Sequence, residues 1–334
     1  MSPARPAATN APPGPLACTD AERRAARRHA SALRAAGRTV RVEPLWVRPA
    51  GAAALAACAA AGVAASVLSV DHPVAALVVA GVALVLALAE LGSLPLLRRL
   101  TFARATQNVL SASAAPRPVT LVLIAAADRP RAGVLHRARI PAGPVTAAAL
   151  ALVTACVAAR VAFDAGGTLL GALQLVPTAV LVLAVGGLVD AAVAAPAPAD
   201  GRAVDAVVDA AKRLDAAPPG RVAVETVLAG AWPLGLHARL KRDRRRPDEL
   251  VVAIVAPGAE PRYATRHPTL RAIADSARHA ERRGRAPRAG RRPVIAMSGP
   301  PEATTELLVA LAAGIDAEIG GQPTSSERAA NSTK

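Results

Sequence analysis

Aromatic side chains are nearly missing: the 334 residues include two tryptophans, one tyrosine and two phenylalanines. That scarcity argues against nucleic-acid binding, because bases held on a protein surface need aromatic rings to stack on, and the basic runs here carry none. It also disfavours an aromatic-lined ligand groove. Cysteine is scarce too: Cys18, Cys58 and Cys156 lie far apart without CxxC spacing, which speaks against a disulfide framework or a zinc knuckle and leaves them as small core residues. No apolar stretch directly follows the start, so no secretory signal is expected. Long charge-free runs, by contrast, are abundant.

Hydrophobic residues make up 53% and charged residues 19%, with alanine supplying most of the apolar excess. The net charge of +16 would ordinarily raise nucleic acid as a partner. In a membrane protein it has a simpler cause, since cytoplasmic segments are enriched in Lys and Arg.

Four apolar blocks divide the chain. Pro49 to Val70 holds no charge over 22 residues, about 33 Å as a helix and enough to cross a bilayer core of about 30 Å. Pro73 to Leu97, richer in Val and Leu, carries only Glu90 as a carboxylate. Pro144 to Phe163 and Gly166 to Val189 form the second pair, and Pro177 is expected to kink the last helix. Asp71 and His72 separate the first two blocks, and Asp164 and Ala165 the second two, so each pair reads as a tight hairpin. Arginine crowds the segments up to Arg48, from Arg98 to Arg139, and after Pro196. The positive-inside rule therefore makes both termini and the central segment cytoplasmic. The competing reading, two hairpins buried in a large soluble core, is disfavoured because such runs are rare in soluble domains. Glu90 and Arg160 lie near block ends, where long polar side chains reach the interface, and no polar path supports transport.

The remaining pieces alternate between helix and strand. Thr19 caps a helix ending at Gly37, with Glu22 in capping-box position. Thr39 to Val47 alternates as a half-buried strand. Gln107 to Ser111 and Val119 to Ala125 read as strands, the latter running into a polar turn at Asp128, Arg129 and Pro130. Beyond the second hairpin come a helix (Asp200 to Leu214), a strand (Arg221 to Ala229), a short helix (Gly235 to Lys241) and a strand (Glu249 to Val255). A basic helix (Thr269 to Arg283), a strand (Pro293 to Met297) and a helix (Glu302 to Ile319) that buries Leu307, Leu308, Leu311 and Ile315 complete the pattern. The fold class is thus α/β, a mainly parallel helix-covered sheet interrupted by two transmembrane hairpins. Its segments are a disordered lead (1–17), the first helix and strand (18–48), hairpin one (49–97), central strands (98–141), hairpin two (142–195), the rest of the α/β domain (196–320) and a disordered tail (321–334).

The order of these pieces resembles the co-catalytic di-zinc aminopeptidases, peptidase family M twenty-eight, in a membrane-embedded form found in high-GC actinobacteria. TDAERRAARRHASALRAAGRTVRVEP is similar to the family's opening helix and strand, and ATQNVLSA with VTLVLIAAADRPRAG to the strands leading to its first metal motif. RAVDAVVDAAKRLDAAPPGRVAVETVLAGA is similar to its second metal-site helix and following strand, and PRYATRHP to the segment after its fourth ligand. The resemblance implies a zinc-exopeptidase-type sheet and, in an intact member, two zinc ions. At the matching positions, however, the ligand His is Ala126 and the Asp that orients it is Asp128. The bridging Asp is met only by Asp200, one residue out of register; the adjacent Glu pair falls on Trp232 and Pro233; the fourth ligand falls on about Val255; the last His has no counterpart, the final one here being His279.

Catalytic zinc needs about three protein ligands and an open position for water, and neither Trp nor Pro can act as a general base. Zinc is therefore not expected to bind, and the domain reads as a non-catalytic binding or structural pseudo-peptidase. Two alternatives stay open: a residual metallopeptidase using unexpected ligands such as His136 or His237, and a polybasic scaffold that binds anionic lipid. For the latter, Lys241, Arg242, Arg244, Arg245 and Arg246 are the candidate headgroup contacts, with Glu281 to Arg292 a second basic run. The lipid bilayer is the expected partner, and a peptide or protein could occupy a retained cleft. Ser298 in MSGPP has no His and Asp partners by spacing, and Asp205 and Asp209 share a helix face with Lys212 and Arg213 as a salt-bridged surface.

Overall fold

A computed structural model describes residues 15–92, 94, 96–112, 116–138, 140–163, 168–197, 201–277, 280–281 and 292–321. The chain forms two compact units, one from Met1–Val47, Ala105–Arg129 and Pro198–Lys334, the other from Arg48–Arg104 and Pro130–Ala197. In chain order, α1 (Asp20–Ala35) and β1 (Thr39–Val47) precede α2 (Gly51–Leu68), α3 (Pro73–Leu91) and the short α4 (Leu96–Arg99). Strands β2 (Arg104–Ala112) and β3 (Val119–Ala126) follow, then α5 (Val134–Arg137), α6 (Ala142–Phe163) and α7 (Thr168–Val193). The last third holds α8 (Arg202–Ala216), β4 (Val222–Ala229), α9 (Leu234–Arg242), β5 (Leu250–Pro257), β6 (Arg262–Thr265), α10 (Pro268–Ser276), β7 (Ala280–Glu281), β8 (Val294–Gly299) and α11 (Pro301–Gly321).

The first unit is a mixed α/β structure around an eight-stranded sheet of order β1-β2-β4-β3-β5-β8-β6-β7. Its centre is parallel: β3 pairs with β4 from Val119↔Val222 to Ala126↔Ala229 and with β5 from Thr120↔Leu250 to Ala125↔Val255. Strand β8 continues the parallel run beside β5, whereas β2 on β4 and β6 on β8 are antiparallel. Near-continuous apolar sequence in β3, β4 and β5 follows from burial on both faces. Leu121, Leu123, Val224 and Val251 share one core with Leu33 of α1, Val207 of α8, Leu270 of α10 and Leu311 of α11. Val122, Ile124, Val227 and Val252 face the other way and cluster with Leu236 of α9.

The elements agree with the sequence reading at their centres and depart from it at some ends. Strand β2 is nine residues long instead of five. The expected basic helix from Thr269 to Arg283 stops at Ser276, and residues 280–281 pair in parallel with β6. Strand β6 has no counterpart in the sequence pattern, because four residues are too few for a period-two alternation to emerge. The second apolar block breaks at Gly92, whose amide caps α3 on the Leu88 carbonyl at 3.0 Å, and α4 follows as a separate turn. Helix α7 runs through Pro177 unbroken. The lead up to residue 14, the second turn at Asp164 and Ala165, most of the basic run after Glu281, His279 and the tail beyond Gly321 lie outside the described residues.

The second unit is built from α2, α3, α6 and α7, of 18, 19, 22 and 26 residues. All four are long and apolar enough to cross a membrane by length and composition. Their shared interior is made of small and branched residues, among them Ala59, Ala76, Ala83, Leu150, Val153 and Leu181. Small side chains let helix backbones approach closely. Gly62 illustrates the fit: a Cβ there would collide with the methyl groups of Leu150 and Leu181.

One polar cluster ties α2 to α7. The buried Gln174 donates Nε2 to Ser66 Oγ at 2.7 Å and to Ser69 Oγ at 3.0 Å, and Ser66 bonds Thr178 at 2.7 Å. Replacing Gln174 with Leu should lower stability by about 0.5–1.5 kcal/mol, the net contribution of a typical intramolecular hydrogen bond. Reversible unfolding in mixed detergent micelles measures this, and an unchanged midpoint would mean that the cluster does not hold the two helices together.

Candidate functional site

In open α/β sheets, ligands bind beyond the carboxyl ends of the parallel strands. Here β3 leaves the sheet through Ala127 and Asp128, and β4 leaves beside it through Gly230, Ala231, Trp232 and Pro233 into α9. The Ala127 amide donates to the Ala229 carbonyl at 2.8 Å, so the two exits start in register. The amino end of α1 contributes Glu22, and β2 contributes Thr106 and Asn108.

Three consecutive amides of the β4 exit are taken up by side chains from three different elements. Gly230 N–H donates to Asn108 Oδ1 at 3.1 Å, Ala231 N–H to Glu22 Oε1 at 3.1 Å, and Trp232 N–H to Asp128 Oδ1 at 3.0 Å. Glu22 Oε1 also accepts the Thr106 hydroxyl at 2.5 Å, and Oε2 accepts the Cys18 amide at 2.5 Å. Asn108 Nδ2 closes the loop from the far side by donating to the Gly235 carbonyl at 3.0 Å. Ala231 holds a left-handed backbone, φ 48°, a conformation that costs a non-glycine residue energy and persists where its surroundings impose it. Gly230 and Gly235 have no room for side chains: a Cβ at the first would meet Glu22 and the Gln107 carbonyl, and at the second the Gly230 carbonyl. Gly235→Ala should therefore cost about 1–3 kcal/mol through overpacking against backbone, read as a lower denaturation midpoint; an unaltered midpoint would show that the loop is not held as described.

Both carboxylates are buried, Glu22 at 1% and Asp128 at 5% exposure. Burial pushes the Asp128 carboxyl up to about 6, with the nearby Glu22 adding to the effect and the Trp232 amide opposing it. Glu22 is also raised by burial, against hydrogen bonds from Thr106, Cys18 and Ala231. Between pH ~4 and ~6 the folded chain holds a proton at Asp128 that the unfolded chain, with its aspartate near 3.8, has released. Stability from this group is complete below pH ~4 and is lost as pH rises through ~6, a swing of at most about 3 kcal/mol. Asp128→Asn keeps an acceptor for Trp232 and should flatten this fall. Denaturation at pH 4, 5, 6 and 7 tests it, and parallel profiles for the two proteins would contradict the assignment.

The other expected site residues fall as follows. Ala126 ends β3, Trp232 is 37% exposed, and Pro233 caps the start of α9. Val255 does not follow a strand: β5 runs on to Pro257, and Val255 is buried between Ala125 and Met297. The first acidic residue past β5, Glu260, is exposed and bound by Arg262. Asp200, with Pro198 and Ala199, lies outside the described residues. His136 is exposed on α5 in the four-helix unit and His237 on α9 in the sheet unit. Among the described residues, no group of three or more His, Cys, Asp or Glu side chains could hold a metal ion.

The basic run after α9 is not one free stripe. Lys241, Arg242, Arg244 and Arg246 are exposed, and Arg242 bonds Glu43 at 2.7 Å. Arg245 turns inward, bonding Glu225 at 2.9 Å and Asp243 at 2.5 Å, while Arg239 bonds Glu225 at 2.6 Å. The Asp243 hydrogen bond and the Glu225 charge outweigh burial and raise the Arg245 guanidinium further. Burial works against the Asp243 charge, but the bonds from Arg245 prevail and hold its carboxyl below the usual range. Neither Glu22 nor Glu225 was singled out by sequence as a buried carboxylate. Glu22 carried a helix-capping signal, and Glu225 interrupts an apolar strand.

No family model matches the sequence, and no curated protein matches it either. Among solved structures, a Zn-dependent exopeptidase from Parabacteroides distasonis is similar over 92% of each chain at 11% identity, TM-score 0.45. A zinc aminopeptidase from Bacillus subtilis is similar over 91% of this chain and 90% of its own at 8% identity, TM-score 0.45. A glutaminyl cyclase from Porphyromonas gingivalis is similar over 92% of each chain at 9% identity, TM-score 0.43. These likenesses assign no residue of this chain a role.

Proposed function

We propose that the chain is a multi-pass membrane protein whose two termini and α/β domain face the cytoplasm, and that this domain is a non-catalytic pseudo-peptidase serving a binding or structural role. The observation that carries the reading is the state of the two carboxylates at the strand exits. Glu22 Oε1 and Oε2 and Asp128 Oδ1 accept backbone amides of the protein itself. Ala126, Trp232 and Pro233 beside them supply neither a ligand nor a general base. A co-catalytic metal pair needs several open oxygen or nitrogen donors in the same place. The arrangement instead suits a loop clamp. For orientation, the arginine-rich segments flanking the hairpins support a cytoplasmic domain.

Two measurements test the proposal. Full-length protein purified in detergent, loaded with zinc and desalted should retain well below one zinc per chain and should not release amino acids from aminoacyl substrates. Stoichiometric zinc that disappears in Asp200→Ala would restore the metallopeptidase reading. Reporter fusions after residue 120 and at the C-terminus should behave as cytoplasmic, and alkaline phosphatase activity at either position would reverse the orientation.

A further inference from the structure

The chain between α3 and β2 holds an apolar surface that nothing in its own unit covers. Leu94 is 60%, Leu96 41%, Leu100 84% and Phe102 92% exposed. Exposed aliphatic residues along α2, α3, α6 and α7 have an evident solvent in the lipid core. This segment starts where α3 ends and is not part of any of the four long helices.

Its conformation is pinned by a charge pair. Glu90, in the last turn of α3, has a side chain 1% exposed, and Arg98 wraps it: Nε to Oε2 at 2.6 Å, the backbone amide to Oε1 at 2.9 Å and Nη2 to the Glu90 carbonyl at 3.0 Å. The Arg98 side chain also lies within 3.6 Å of where a Cβ on Gly51, the first residue of α2, would stand. The segment is thereby folded back against the ends of α3 and α2. Thr101 bonds the Arg98 carbonyl at 2.7 Å, and Arg48 reaches the Thr101 carbonyl at 3.1 Å. Arg48, Arg99 and Arg104 are exposed around the leucines and Phe102, with no carboxylate paired to them among the described residues.

A peptide held at the mouth of membrane spans, with an aromatic and leucines outward and arginines around them that pair with no carboxylate among the described residues, matches the membrane interface. The rings and aliphatic chains enter the headgroup–acyl boundary while the guanidinium groups meet phosphate. We infer that Leu94 together with Leu96 to Arg104 forms an interfacial anchor, with Leu100 and Phe102 embedded at headgroup depth and Arg48, Arg99 and Arg104 binding anionic phospholipid. The inference rests on reading the four helices as membrane spans. It places the lipid contact here, apart from the basic run after α9.

The test uses full-length protein with Trp46 and Trp232 changed to Phe, reconstituted into phosphatidylcholine–phosphatidylglycerol vesicles. Phe102→Trp reports on the segment and Val82→Trp, exposed midway along α3, on the span. Lipids brominated high on the acyl chain should quench the reporter at 102 most, and lipids brominated near the chain end should quench that at 82 most. At equal mole fraction, brominated phosphatidylglycerol should quench position 102 about twofold more than brominated phosphatidylcholine. That preference should vanish in an Arg48→Gln, Arg99→Gln, Arg104→Gln background. Quenching at 82 without quenching at 102 would overturn the anchor and leave the membrane reading standing. No lipid quenching at either would overturn both. Equal quenching by the two lipids would remove the anionic preference.

Discussion

Strand β3 is the member on which the α/β unit depends. Flanked by β4 and β5 in parallel, it is buried on both faces from Leu121 to Ala125. Its backbone groups can be satisfied only by those two neighbours, and both neighbours lie beyond the second hairpin in sequence. The sheet cannot close until α6 and α7 have been made and the chain has returned. Parallel pairing across so long a connection carries a large loop-closure cost, repaid by burying a run of Val, Leu and Ile on two faces at once.

The exits of β3 and β4 inherit that constraint. Two parallel strands that end together leave two loops side by side, and the buried amides of the second loop need acceptors. Asn108, Glu22 and Asp128 provide them. A carboxylate is a strong acceptor for an amide but is costly to bury charged, which is why burial raises both acids while the amide bonds pull them back. In open α/β sheets this end is where ligands bind, and here Asn108, Glu22 and Asp128 each give an oxygen there to a backbone amide.

The four-helix unit packs alanine and glycine against Leu150 and Leu181 and adds an amide–hydroxyl cluster around Gln174. Its buried carboxylate, Glu90, is matched by Arg98 from the following turn. The same local physics governs both units: a buried polar group is tolerated where a partner is built in beside it.

Much of the architecture was legible because it rests on periodicity. Strand β1 has the boundaries that alternation indicates, β3 exceeds its expected span by one residue, and the four apolar runs became four helices that are long and apolar enough, by length and composition, to cross a membrane. Short pieces such as β6 and the end of α10 carried too few residues for a pattern to rise above chance. The sequence by itself also determined that Ala126, Trp232 and Pro233 offer no ligand chemistry, since that is a property of the side chains. Only the tertiary structure decided that Val255 is core, that Arg245 turns inward onto Glu225 and Asp243, and that Glu22 reaches past its helix cap to the loop after β4. Those are choices of partner, and a partner some two hundred residues away is set by how the sheet closes, which no local pattern encodes.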